Sequence, residues 1–276
     1  MRRISRRRFL GAAGALCSTA LVDGFLREPS AIEVSRHDVP LPGSPTALGG
    51  LRIACLTDVH LSHGVGRAAR AAITQLGRER PEVVALTGDI CNSREDLPDL
   101  VAWARDARGT LATFATFGNW EHRAGIDRLT AERAYEQAGV ELLYNSAARV
   151  TVQGATLTVV GIDDPVAGTP DLAAALAGVA PAEPAVWLVH APAYVDGLRP
   201  DITPRPAAIL AGHTHGGQIR LPFYTPYTPT GSGRFVAGWY RDTVAPLYVS
   251  RGIGTILIPA RFCCPPELPV FTLRRG

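Results

Sequence analysis

Apolar and polar positions follow two periods along this chain. "LRIACLT" (51–57) is a short apolar run ending in polar residues, the pattern of a buried strand. "RAARAAITQLGRER" (67–80) then carries apolar positions at helical spacing until Pro81 punctuates it. The alternation continues with a strand at "EVVALT" (82–87), a helix at "DLPDLVAWARDA" (96–107), a strand at "TLATFATF" (110–117) and a helix at 126–139, closed by Gly139. Past residue 148 the pattern changes. "RVTVQGATLTVVGI" (149–162) alternates about a Gln153-Gly154 turn and predicts a hairpin, and further strands are expected at "AVWLVH", "AAILAG", "RFVAGWY" and "PLYVS". Strand–helix alternation followed by a strand-rich half predicts an α/β fold of two packed mixed β-sheets flanked by helices. The stretch before it, "LPGSPTALGG" (41–50), is rich in proline and glycine and is expected to be extended or irregular. The organisation expected is residues 1–28 as a signal or N-terminal anchor, 29–50 as a lead-in and 51–276 as one domain.

Charge changes the picture only at the N-terminus. The formal net charge is +3, but Arg2, Arg3, Arg6, Arg7 and Arg8 all precede residue 23, where no acid occurs. The remainder carries 23 basic against 25 acidic residues, a net of −2, so the body offers no electrostatic case for nucleic acid. The opening "MRRISRRRFLGAAGALCSTALVDGF" joins these arginines to fourteen weakly apolar residues, 9–22. That run is shorter than the ~20 residues of a membrane span and fits the apolar region of a secretory signal. "SRRRFLG" resembles the twin-arginine export signal, which implies the twin-arginine translocase as a partner and a periplasmic or envelope location. No small-x-small cleavage site follows, so the segment is also read as an uncleaved anchor.

The cysteines add little. Cys17, Cys55, Cys91, Cys263 and Cys264 follow no zinc spacing, and Cys55 and Cys91 are expected as buried free thiols; no disulfide is assigned.

The chemistry collects where strands end. Five apolar runs each lead into a turn with metal-competent side chains: "LTDVH" (Asp58, His60), "LTGDI" (Asp89), "FGNWEH" (Asn119, His122), "LVHAP" (His190) and "AGHTHGGQ" (His213, His215). Six of the seven histidines lie in these turns or within three residues of one. In open α/β sheets ligands bind at the carboxyl ends of strands, so the clustering predicts one shared crevice. On extended backbone, residues two apart project to one side, which lets Asp58 and His60 reach one ion and suits His213 and His215 to two neighbouring metals. Gly88, Gly118, Gly212, Gly216 and Gly217 permit close turns around it. Carboxylate, imidazole and amide oxygen without thiolate suit Mn²⁺, Fe or Zn²⁺.

This order of motifs resembles the calcineurin-like metallophosphoesterases, over residues 51 to the C-terminus. The tail "GRFVAGWYRDTVAPLYVSRGIGTILIPARFCCPPELP" is similar to the exported bacterial phosphodiesterase branch. The resemblance implies a four-layer α/β/β/α sandwich and a two-metal site, with two divalent ions, Mn²⁺ foremost. Asp58, His60, Asp89 and His215 would hold one ion. Asp89, Asn119, His190 and His213 would hold the other, Asp89 bridging. It implies hydrolysis of a phosphodiester or phosphoanhydride by in-line attack of a metal-bridging hydroxide.

One position departs from the family. Where it usually reads GNHD or GNHE this chain has Trp120, which cannot donate a labile proton at neutral pH. His122 is then the candidate catalytic acid, or the leaving group needs little acid help, or the enzyme is slow or inactive. Trp120 and Arg251 are candidate substrate contacts, the first by stacking and the second as a phosphate partner or a structural ion pair. "LPFYTPYTPTGSG" (221–233) reads either as an apolar rim for a lipid-bearing or aromatic substrate or as a proline-stiffened surface loop. The expected partner is a small-molecule or lipid-linked phosphoester, with association at a membrane surface in view. The competing readings are a UDP-2,3-diacylglucosamine type pyrophosphatase and a non-catalytic metal-binding envelope protein.

Overall fold

The computed structural model describes residues 21–41 and 43–275. The signal reading therefore falls almost wholly on residues outside those described. Among the described residues no helix is long and apolar enough to cross a membrane.

Strands β1 (Glu33–Leu41), β2 (Arg52–Leu56), β3 (Val83–Thr87), β4 (Ala112–Thr116) and β5 (Glu141–Leu142) belong to a first sheet. A second sheet holds β6 (Ser146–Val152), β7 (Ala155–Gly161), β8 (Ala185–Leu188), β9 (Ala208–Ala211), β10 (Gly238–Tyr240) and β11 (Leu247–Val249). The last strand, β12 (Glu267–Arg275), returns to the first sheet between β1 and β2. The orders are β1-β12-β2-β3-β4-β5 and β10-β11-β9-β8-β7-β6. Parallel pairing runs through β2, β3, β4 and β5 and through β7, β8, β9 and β11; β12 against β2, and β6 and β10 at the edges, are antiparallel.

Both faces of the central strands are covered, which is why they read as unbroken apolar runs. Ile53, Cys55, Val83, Ala85 and Phe114 turn inward and meet Leu157, Val159, Val186, Leu188 and Leu210 between the sheets. Their alternates Ala54, Leu56, Val84 and Leu86 turn outward under helices. Helix α1 (Arg67–Glu79) buries Ala69, Ala72 and Leu76 and stops at Arg80, whose φ of 46° ends the helix before Pro81. Helix α2 (Leu97–Asp106) buries Leu100, Trp103 and Ala104, and the Trp103 indole N–H donates to the Ala69 carbonyl at 3.1 Å. A short helix, α3 (Asn119–Arg123), follows β4; α4 (Arg128–Gln137) is capped by the Asp127 carboxylate, which accepts from the Thr130 N–H at 2.9 Å. The far face of the second sheet is covered by α5 (Leu172–Ala175) and the turn Pro192–Gly197. These are the expected layers, α/β/β/α.

The lead-in differs from expectation. The first sheet begins inside it, because β1 pairs in parallel with all nine residues of β12, whereas 43–50 form turns as the proline and glycine pattern predicts. Two long strands from distant parts of the chain complete one side of the sheet, β1 at its edge and β12 next to it, a pairing too distant for local pattern to reveal. The strand expected across 234–240 shortens to Gly238–Tyr240. Cys55, Cys91 and Cys264 are buried free thiols, and Cys263 is an exposed one.

Candidate metal centre

Strands β2, β3, β4, β8 and β9 end level in their registers, and the turns after them converge. Five residues of those turns, Asp58, His60, Asp89, His213 and His215, have φ between 51° and 71°. A left-handed conformation costs a non-glycine residue on the order of 1 kcal/mol or more. Against a domain stability of about 5–15 kcal/mol, five in one place form a strained site that the rest of the fold must hold. Two glycines make the approach possible: a Cβ on Gly118 would overlap the Asp89 carboxylate, and one on Gly212 would overlap the Thr57 hydroxyl and crowd Asp58.

Hydrogen bonds on the outer side of the imidazoles fix which nitrogen faces inward. A carbonyl only accepts, so His190 Nδ1 carries the proton it donates to Thr87 O at 2.8 Å, and His213 Nε2 donates likewise to Thr230 O at 2.8 Å. His60 Nδ1 donates to Asn92 Oδ1 at 2.7 Å. His190 Nε2, His213 Nδ1 and His60 Nε2 are thereby the nitrogens that face the crevice, the outer support typical of metal-binding histidines. There His60 Nε2 lies 3.1 Å from His215 Nε2, and His213 Nδ1 lies 3.3 Å from His190 Nε2. His215 Nε2 is 3.4 Å from Asp58 Oδ1. Asp89 Oδ2 stands between the groups, 3.2 Å from His190 Nε2 and 3.7 Å from His60 Nε2. Donor atoms gather as two sets, Asp58 with His60 and His215, and Asp89 with His190 and His213, each within 4.8 Å.

Burial opposes charge throughout. It lowers His213 to about 4, aided by the His190 charge, and lowers His215 further, aided by His60, so both rings are neutral near pH 7. Burial also works against Asp89 and His190, but their mutual attraction wins, taking Asp89 below the carboxylate range and His190 well above its ordinary value. Asn119 Oδ1 and His215 Nδ1 are buried without any hydrogen-bond partner. Ring nitrogens set face to face, with His213 and His215 neutral, an orphaned amide oxygen and a carboxylate between two clusters fit a pair of divalent ions.

Glu121 is what the sequence reading missed. It is buried and accepts from the N–H groups of Asp89 (3.0 Å), Ile90 (2.6 Å), Cys91 (3.4 Å) and Gly118 (2.9 Å), tying the second and third metal turns together. Burial and the Asp89 charge raise its pKa. Arg261 was missed too. Its fully buried guanidinium donates to the carbonyls of Arg251 (2.8 Å), Gly252 (3.2 Å), Gly254 (3.1 Å) and Cys264 (3.1 Å), stiffening the turn behind Asp58.

The remaining expected residues go different ways. Trp120 lines the cleft and stands nearly perpendicular to the His60 ring, centroids 5.4 Å apart. His122 is not among the residues lining it and bonds Asp163 Oδ1 at 2.6 Å. "NWEH" is helical rather than extended, so two residues swing a side chain by about 200° instead of returning it to the same side. The same helix brings Arg123, one turn beyond Asn119, to the cleft in an exposed position. Arg251 is engaged by Glu33 (2.8 Å) and Glu267 (3.4 Å) and lies apart from the cleft, so the structural alternative describes its placement.

The cleft over the clusters measures about 140 Å³, with Asp89, Asn119, His213 and His215 as floor and Trp120, Arg123, Tyr227 and Leu257 among its walls. A larger cavity of about 700 Å³ behind Gly231 has mostly apolar walls and includes none of these ligands.

No protein-family model matches the chain. Among curated proteins it is similar to the phosphodiesterase YaeI of Escherichia coli (strain K12), 31% identical over 284 residues covering 98% of this chain and 99% of that protein. It is similar to the metallophosphoesterase YkuE of Bacillus subtilis (strain 168), 29% identical over 288 residues covering 99% of each. A third relative, the UDP-2,3-diacylglucosamine pyrophosphatase LpxG of Chlamydia trachomatis, is 25% identical over 302 residues, 87% of this chain and 89% of that protein.

Proposed function

The chain belongs to the metallophosphoesterase family, and from that premise we propose that it hydrolyses a phosphodiester or phosphoanhydride with two divalent ions, Mn²⁺ foremost. The observation that carries the proposal is the pair of buried donor sets with Asp89 Oδ2 between them. When bound, such ions supply an activated water and neutralise charge on the phosphoryl oxygens. Asp58, His60 and His215 would hold one, and His190, His213 and Asn119 the other, with Asp89 shared.

The chain's own part is positioning. Arg123 offers a guanidinium to a phosphoryl oxygen at the cleft mouth, and Trp120 gives a flat wall. No cleft-lining side chain near Trp120 takes the family histidine's place as acid, which favours substrates whose leaving group needs little protonation, such as a nucleotide or another phosphate. Metal-loaded protein should cleave an aryl phosphodiester, and Asp89→Ala should lower kcat/KM at least roughly 10³-fold. Undiminished hydrolysis by that variant would sink the proposal.

A lipid-linked nucleotide pyrophosphate is the second reading, favoured by the apolar walls Tyr227 and Leu257 and by the likeness to LpxG. Export by the twin-arginine pathway to the periplasm or envelope is part of our proposal and rests on residues 1–22. It opposes a substrate confined to the cytoplasm. Protease accessibility of the catalytic body in intact cells separates the two. The intact donor sets argue against a purely non-catalytic envelope protein, a reading that less than one ion per purified chain would revive.

A further inference from the structure

The side of the molecule around the cleft exposes more apolar surface than water favours. Residues 221–224, "LPFY", form a tight reversal in which Leu221 and Tyr224 exchange backbone hydrogen bonds at 2.9 and 3.1 Å. At its tip Phe223 is fully exposed with φ of 66°. An aromatic side chain gains nothing from either condition in aqueous solution, and a local rule broken without local compensation marks a functional surface. On a second loop, 256–258, Leu257 is 84% exposed, with Ile258 also exposed.

These tips are joined by hydrogen bonds. The Gln218 side chain donates to the carbonyls of Ile256 (3.0 Å) and Ile258 (2.8 Å) and accepts from the Ile256 N–H (2.8 Å). Arg220 N–H donates to Phe262 O at 2.8 Å. A third segment completes the face: Arg261 N–H donates to Gly24 O at 2.9 Å, fixing a turn that exposes Leu21, Val22, Phe25 and Leu26. Between the first two tips lies an apolar cavity of about 200 Å³, lined by Ile219, Pro226, Tyr227, Ile256, Leu257 and Ile258. Tyr227, Ile256 and Leu257 are also walls of the metal cleft, so the cavity adjoins the cleft.

We propose that this face docks on a bilayer carrying anionic lipid, so that the cleft receives a phosphoester borne by a lipid whose apolar part enters the adjoining cavity. The bilayer is the occupant for two reasons. Residues 202–241 and 243–266 contain no aspartate or glutamate, so neither loop repels anionic headgroups. The sequence that leads into Leu21 consists of five arginines and an apolar run, the composition of a segment drawn to such a surface. The chemistry at the cleft rests on the phosphoesterase reading; the docking does not.

The test uses the full chain and a Leu221→Ser, Phe223→Ser, Tyr224→Ser variant, whose changed residues line neither cleft nor cavity. Each is incubated with phosphatidylcholine vesicles with and without about one third phosphatidylglycerol, and partition is read by sedimentation. The wild type is expected to bind the anionic vesicles, and the triple variant at least tenfold less. The variant should hydrolyse a soluble aryl diester within twofold of wild type, which also shows that it is folded, while losing activity toward a vesicle-borne phosphodiester. Equal partition of the two proteins, or a wild type that stays in solution, overturns the proposal. A dimer that forms through this face and dissociates in the variant overturns it in favour of a second copy. Failure of the wild type on every soluble diester would instead defeat the phosphoesterase reading and leave vesicle partition to decide the docking.

Discussion

At and beneath the floor of the cleft Asp58, Asp89 and four histidines are buried, all but His190 in left-handed backbone, and three of the imidazoles have their outer nitrogen bonded to an oxygen. At and beyond its rim Leu257, Phe223 and Tyr224 stand in solvent, the first on a loop tied by the Gln218 side chain and the others on a reversal closed by its own backbone. The floor spends folding stability to place donor atoms. The rim leaves apolar area uncovered, which adds nothing to folding. The two regions should therefore respond differently to mutation, the floor in stability and metal content, the rim in what the protein meets.

Glu121→Ala should break the floor most. It strands at least three buried N–H groups, each worth about 1–3 kcal/mol, so the melting temperature is expected to fall by about 10 °C or more and bound metal to drop below two ions per chain. An unchanged melting curve would show that the metal turns hold themselves. Arg261→Met comes next, because that guanidinium supports the turn behind Asp58, while the backbone N–H that holds residue 24 at the rim is kept. A loss of about 2–4 kcal/mol in denaturant unfolding is expected.

At the mouth of the cleft the comparison predicts kinetics without destabilisation. Arg123→Ala should raise KM roughly tenfold for a soluble diester while leaving the melting temperature within about 2 °C. A large stability loss would move Arg123 from the wall to the frame.

His122 and Asp163 give the smallest effect and a pH signature. Burial lowers the His122 pKa, but the Asp163 bond outweighs it and the net shift is upward; burial raises Asp163, but His122 brings it down. A raised histidine stabilises fully below its unfolded value of about 6.5 and loses this as pH rises through the folded value; a depressed aspartate stabilises above about 3.9 and loses it as pH falls. The pair is thus strongest between about pH 4 and 6.5. His122→Gln should lower the melting temperature by about 2–4 °C at pH 5.5, with the gap narrowing toward pH 9. A gap that stays constant would mean that charge plays no part.

The sequence by itself determined the strand–helix order, because central strands covered on both faces must be apolar throughout. It determined the ligand turns, because carboxylate, imidazole and amide at five strand ends have few other uses together. Tertiary structure alone decided which neighbours those turns would acquire. Glu121 reads as an ordinary helix acid until α3 buries it under four N–H groups. His122 looks like a catalyst until the helix turns it toward Asp163, and Arg251 like a phosphate ligand until β1 and β12 bring Glu33 and Glu267 beside it. The exposed face, likewise, is assembled from residues about two hundred positions apart. Periodicity and residue type are local and survive in the sequence; a hydrogen-bond partner or a shared surface exists only once distant segments have been folded together.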